Sequence, residues 1–146
     1  MRYDSLEHLK AWQADGTFPK IHEQVYAMAM QEMTGRRVLD LGCSHGLLGA
    51  RLVAPGVNRL ADVVVGIDVD LDAMTAGATA GVPVMQNHLK VEPATFPEVL
   101  ALVKAHRLDG VIARRIFPEL FGKDIPAGKQ FAHLLARAGV KEMIIQ

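Results

Sequence analysis

Apolar positions along the chain change their spacing near residue 36. Before it they recur every three or four residues. Leu6, Leu9 and Trp12 share one face of a helix over residues 4–14, with Asp4 or Ser5 placed to cap its start. "DGTFP" breaks that pattern. Ile21, Val25, Met28 and Met33 then mark a second helix over 20–33, which Gly35 closes. From residue 36 onward, short apolar runs alternate with helical stretches. The runs "RRVLDL", "DVVVGID", "VPVM", "LDGVIA" and "VKEMIIQ" predict five strands. Between them, "GLLGARLVA", "DLDAMTAGATA", "TFPEVLALVKAH" and "AGKQFAHLLARAG" predict helices, the second with Asp70 near its start and the last ending at Gly139. "QNHLKVEPA" follows the third strand as a connection, and "RRIFPEL" follows the fourth as a short helix or turn.

Strand and helix alternating at this spacing predict parallel βαβ units, hence an α/β domain with helices on both faces of a sheet of about five strands. In such sheets a ligand binds outside the carboxyl ends of the strands, near the point where strand order reverses. Four segments reach those ends: 40–46, 68–70, 86–90 and 113–119. A chain of 146 residues fits one domain with one core, read here as a helical cap over 1–34 and a sheet-centred core over 35–146.

Composition narrows the partners. The 16 Lys and Arg balance the 16 Asp and Glu, so there is no basic excess to neutralise a nucleic-acid backbone. The single cysteine, Cys43, excludes an intrachain disulfide, which makes the cytoplasm the default compartment. The first residues, "MRYDSLEHLKAWQADG", lack the apolar stretch of a signal peptide, and no run approaches the roughly 20 apolar residues of a membrane span. No metal site is assigned.

The chemistry concentrates in Asp40-Leu41-Gly42-Cys43-Ser44-His45-Gly46. Gly42 permits a sharp turn and a close ligand approach to the backbone, and Gly46 permits tight passage into the next helix. The free N–H groups at that helix start suit a carboxylate or another polar group. Asp40 is placed either to accept from an ammonium group or to order the loop by accepting backbone N–H bonds. A dinucleotide fingerprint would require G-x-G-x-x-G. The glycines here are Gly42, Gly46 and Gly49, which disfavours a nucleotide-binding oxidoreductase. An acidic residue before the turn also suits a cationic ligand better than a pyrophosphate.

"VLDLGCSHG" followed by "VVGIDVD" resembles the class I S-adenosylmethionine-dependent methyltransferases, whose first motif is an acidic residue followed by glycines at alternate positions. Asp40, Gly42 and Gly46 match, and Ser44 replaces the middle glycine. The resemblance covers roughly residues 20–146. It implies a three-layer Rossmann-like sheet of order 3-2-1-4-5 and S-adenosyl-L-methionine as cofactor. Residues 40–46, Cys43, Ser44 and His45 among them, would lie along the amino-acid end of that cofactor. Asp68, with Val69 beside it, would take both ribose hydroxyls, a role suited to a carboxylate facing a diol. Asn87 is the preferred adenine reader, flanked by Gln86 and His88. Arg114 joins the cofactor residues from the end of the fourth strand.

The segment "LDGVIARRIFPELFGKDIPAGKQFAHLLARAGVKEMIIQ" resembles the family's passage from fourth to fifth strand, with Arg115 where Asn is frequent and Glu119 where His is frequent. The C-terminal hairpin of the full family fold is missing, and an uncovered edge strand invites an oligomer or a partner chain. The Asn-Pro-Pro-aromatic motif of amino-group nucleic-acid methylases is absent.

Each residue also has a plainer reading. The 40–46 turn can be a mere connection, and Asp68 a helix N-cap or a turn former, although Asp70 is the better placed cap. Cys43 reads as a small buried residue. His45 can point its ring at solvent. Arg114 and Arg115 are adjacent and point in different directions, so one can be a solvated charge while the other holds an acidic substrate. Glu119 reads as a surface residue or a general base. His22 and Tyr26, four apart on one helix, can cover the cofactor or pack the core. The expected activity is methyl transfer from S-adenosylmethionine to a small-molecule acceptor, with Arg115, Glu119, His22 and Tyr26 as the catalytic candidates. The alternative is a catalytically inactive cofactor-binding or scaffold protein of the same fold, acting through a partner.

Overall fold

The computed structural model describes residues 17–34, 36–56, 59–113 and 121–145. Along the chain these form α1 (Thr17–Glu32), β1 (Arg37–Leu41), α2 (Leu47–Val53), β2 (Val63–Asp68), α3 (Leu71–Thr79), β3 (Met85–His88), a 3-10 turn (Pro93–Thr95), α4 (Phe96–His106), β4 (Gly110–Ala113), α5 (Ile125–Arg137) and β5 (Glu142–Ile145). The helix expected over 4–14 lies outside the described residues.

The five strands form one sheet in the order β3-β2-β1-β4-β5, and every pairing is parallel. Strand order reverses at β1, whose end leads into the 42–46 loop. The inner strands are buried on both faces and carry apolar runs, as a covered parallel sheet requires. Alternation along them sorts side chains between two cores. Val38, Val64, Ile112 and Ile144 face Val25 and Ala29 of α1 and Leu48 and Leu52 of α2. Leu39, Leu41, Val65, Ile67 and Val111 face Phe96, Val99 and Val103 of α4 and Phe131 and Leu135 of α5. The end of α1 is tied to the far edge of the sheet, where Glu142 accepts from the Thr34 backbone N–H at 2.6 Å and from its hydroxyl at 3.2 Å.

Three boundaries differ from the expectation. "DGTFP" does not break the chain through Pro19, because α1 begins at Thr17. Pro19 then falls in the first turn, where a missing N–H costs no hydrogen bond. Helix α5 begins at Ile125 rather than Ala127, capped by the Asp124 carboxylate, which accepts from the Ala127 N–H at 3.1 Å. The third strand is Met85–His88, not "VPVM". Val82 donates its N–H to Gly77 O at 3.1 Å and Val84 donates to Val82 O at 2.8 Å, while Pro83 has none to give. That segment is a turn off the end of α3, and the ladder starts where Met85 pairs with Val65. Gln86, Asn87 and His88 are therefore in the strand, not after it. Among the described residues β3 is an edge of the sheet, which tolerates its polar sequence.

Among the described residues, no helix is long and apolar enough to cross a membrane. The α4–α5 layer is held by three rings. Phe96 stacks on Phe131 at 4.7 Å between centroids, and Phe121 meets the two at 6.1 Å and 5.8 Å. Phe131 is fully buried. Phe131→Ala should cost roughly 3–5 kcal/mol of stability, read from the urea unfolding midpoint, because the surrounding sheet cannot collapse into the space left.

Candidate functional site

The carboxyl ends of β1, β2 and β3 converge on the 42–46 loop. Its backbone takes the left-handed conformation at alternate residues: Gly42 (φ 76), Ser44 (φ 52) and Gly46 (φ 80). Glycine adopts this region freely, whereas a side chain there costs roughly 1–2 kcal/mol. Alternate left-handed residues explain alternate glycines in the motif. At Ser44 the penalty is offset by a charge-assisted bond from its N–H to Asp68 Oδ2 at 2.6 Å. The Ser44 hydroxyl also lies 3.2 Å from His45 Nδ1.

The loop is seated on β2. Gly42 and Cys43 both donate backbone N–H groups to Ile67 O, at 2.8 Å and 3.1 Å, and Gly46 closes the turn onto Cys43 O at 2.8 Å. The Cys43 side chain is buried and points down onto Gly66, where an added Cβ would lie 2.6 Å from its sulfur. The His45 carbonyl lies against Gly77 of α3, with no room for a Cβ between them. Gly66 and Gly77 are parts of the site that reading the sequence missed. Their signal is a glycine inside a β-branched run and another inside a helix, both marks of close backbone approach.

Asp68 joins the pieces. Besides Ser44, it accepts from the Asp70 N–H at 2.9 Å through Oδ1. Asp70 in turn caps α3, accepting from Ala73 at 3.0 Å. The Asp68 backbone carbonyl takes the Leu89 N–H at 3.0 Å, which fixes the chain leaving β3. Burial raises the Asp68 carboxyl above its ordinary value of 3.8. Backbone N–H bonds from Asp70, Ser44 and Val69 pull it down, and the neighbouring Asp70 carboxylate pushes it further up. A carboxylate has about four acceptor positions, so Asp68 retains capacity for a donor from outside the protein.

The other expected residues are placed as follows. Asp40 is fully buried within β1, level with Gly66 and Ile112 on its neighbours. His88 pairs with Asp68 in the ladder, and its Nε2 lies 3.1 Å from Val69 O, so His88, Val69 and Asp68 share one end of the sheet. Asn87 pairs with Ile67, and its Nδ2 donates to Gly66 O at 3.4 Å. Tyr26 packs against the α1–α2 core with the Arg51 guanidinium 3.8 Å above its ring. Arg114, Arg115, Glu119 and the His22 side chain lie outside the described residues. A further feature is the exposure of Leu47, Val69 and Leu71, three apolar residues at the ends of β2 and the starts of α2 and α3.

A parallel β3-β2-β1-β4-β5 sheet with this loop after its first strand defines the fold class: the chain has the class I S-adenosylmethionine-dependent methyltransferase fold. It is similar to the ribosomal protein L11 methyltransferase of Pseudomonas aeruginosa (strain LESB58), with 31% identity over 118 residues, 75% of this chain and 35% of the relative. The ribosomal protein L11 methyltransferase of Pseudomonas paraeruginosa shows the same identity and coverage. The chain thus spans about a third of the length of these curated relatives. Among solved structures it resembles the plantazolicin methyltransferase BamL in complex with a triazolic desmethylPZN analog and SAH (TM-score 0.52, 17% identity, 80% of this chain and 40% of that one). It also resembles the bifunctional kinase-methyltransferase WbdD (TM-score 0.51, 20% identity, 82% of this chain and 26% of that one). At these identities the likeness is one of fold. No protein-family model matches the chain.

The raised Asp68 carboxyl fixes a pH dependence. A group that holds its proton more tightly in the folded chain than in the unfolded one lowers stability once ionised. That penalty is fully present above the raised folded value and is relieved as pH falls through it toward 3.8. The stability of wild type relative to Asp68→Asn should therefore be greater at pH 4 than at pH 7, measured by urea unfolding at both. A wild type that gains stability over Asp68→Asn as pH rises would contradict the assignment.

Proposed function

We propose that this domain binds S-adenosylmethionine at the carboxyl ends of β1–β3 and directs its methyl group to an acceptor. The observation that carries the reading is the Asp68 carboxylate, fixed at the end of β2 by the Ser44 and Asp70 N–H groups beside the alternating left-handed loop. In this reading Asp68 accepts the ribose hydroxyls and the 42–46 backbone lines the amino-acid end. Val69 and His88 extend the wall toward the base, with Asn87 behind them. Asp40, being buried, acts on the loop rather than on the ligand. The bound SAH of the BamL complex supports the choice of ligand.

The reaction follows from the cofactor's chemistry. A lone pair on the acceptor attacks the methyl carbon in line with the sulfur. The carbon–sulfur bond breaks, the sulfur keeps the electron pair, and S-adenosylhomocysteine leaves. The sulfonium is already activated, so the protein's work is to align the two reactants. A base is required only where the acceptor carries a proton that must depart. The likeness of "LDGVIARRIFPEL" to the small-molecule members of the family supports a small-molecule acceptor. The 31% identity to ribosomal protein L11 methyltransferase supports a protein acceptor as the second reading.

Isothermal titration calorimetry tests the proposal. S-adenosylmethionine and S-adenosylhomocysteine should bind and NAD should not; binding of NAD alone would overturn it. Asp68→Ala should weaken S-adenosylhomocysteine binding about tenfold to a hundredfold, the range expected for losing hydrogen bonds to a charged group. Binding without turnover across both acceptor classes would identify the scaffold alternative.

A further inference from the structure

Beneath the loop lies a polar side chain that the proposed function does not use. Gln86 pairs with Gly66 in the β2–β3 ladder, so it shares the sheet face on which Cys43 and the loop rest. Its Nε2 is buried and, among the described residues, has no hydrogen-bond partner. A buried amide donor left in this state costs roughly 1–3 kcal/mol.

The surroundings are shaped by two glycines. A Cβ on Gly46 would lie 2.9 Å from Gln86 Nε2, and a Cβ on Gly77 would lie 3.1 Å from it. The His45 carbonyl oxygen borders that same Cβ-free space at Gly77. The unbonded donor on β3 and the carbonyl acceptor on the loop thus crowd the same point beside Gly77, where α3 places no side chain between them. Turning the amide over would set its oxygen against the His45 oxygen, so the nitrogen is the atom that belongs there.

We infer that Gln86 is a positioning residue for the cofactor loop: when the adenosyl ligand seats on residues 42–46, the loop settles and the His45 carbonyl accepts from Gln86 Nε2. The inference rests on the cofactor reading above. That bond satisfies a buried donor, so the amide adds to ligand affinity.

The test uses the full chain with S-adenosylhomocysteine as the probe. Gln86→Met keeps the length of the side chain and removes the donor. The melting temperature of its ligand-free form should equal or exceed that of wild type, while its affinity for S-adenosylhomocysteine falls about tenfold. A residue that merely supports the fold would lower both. In wild type, the backbone carbonyl carbon of His45 should shift in NMR spectra on ligand addition, and in Gln86→Met it should not. Gln86→Glu, which places an oxygen toward His45, should bind no better than Gln86→Met. A lower melting temperature for ligand-free Gln86→Met would show that the amide is already bonded and overturn the inference. Unchanged affinity in Gln86→Met, with wild type binding normally, overturns it alone. Failure of wild type to bind removes the cofactor reading as well.

Discussion

The pair of hydrogen bonds that Asp68 receives, from Ser44 on one side and Asp70 on the other, sets the geometry of the whole carboxyl edge. One bond makes a left-handed serine tolerable in the first loop. The other starts the turn into α3, whose cap is Asp70 itself. The Asp68 backbone carbonyl anchors the chain beyond β3. A single residue therefore ties together three connections that the sheet topology only brings near one another. The charge that does this is held under cover, at the expense of a carboxyl that prefers its proton more than a free one would. Stability is given up where the carboxyl edge holds a fixed acceptor.

Packing beneath the loop follows the same logic. Sulfur on Gly66 and the His45 carbonyl on Gly77 are contacts that any side chain at those two glycines would block. They fix the loop's height above the sheet, while the Asp68 bonds fix its lateral position. The rest of the core does ordinary work: two apolar layers, sorted by strand alternation, with the phenylalanine group on the α4–α5 side.

Much of this was legible in the sequence for a physical reason. Strand count is written in short apolar runs, strand order and the 40–46 loop in a motif whose family geometry is known, and the Asp70 cap in a carboxylate before a helical pattern. The third strand was misplaced because "VPVM" looks like buried β structure whereas "MQNH" does not. An edge strand takes its place from backbone pairing with β2, and its side chains need not be apolar. Gly66 and Gly77 escaped notice because their contribution is a missing atom, visible only once the partner across the gap is known. Gln86 was seen as a neighbour of Asn87, with nothing in the local pattern to show that its amide would lie unbonded under a loop some forty residues earlier in the chain.

The position of Cys43 has a consequence for how this protein reports on itself. Its thiol is the only one in the chain, and it is sealed between the loop and Gly66. A reagent in solution reaches that sulfur only when the loop lifts from the sheet. The labelling rate of a single native atom thus becomes a clock for loop opening, built into the wild-type sequence and needing no introduced probe.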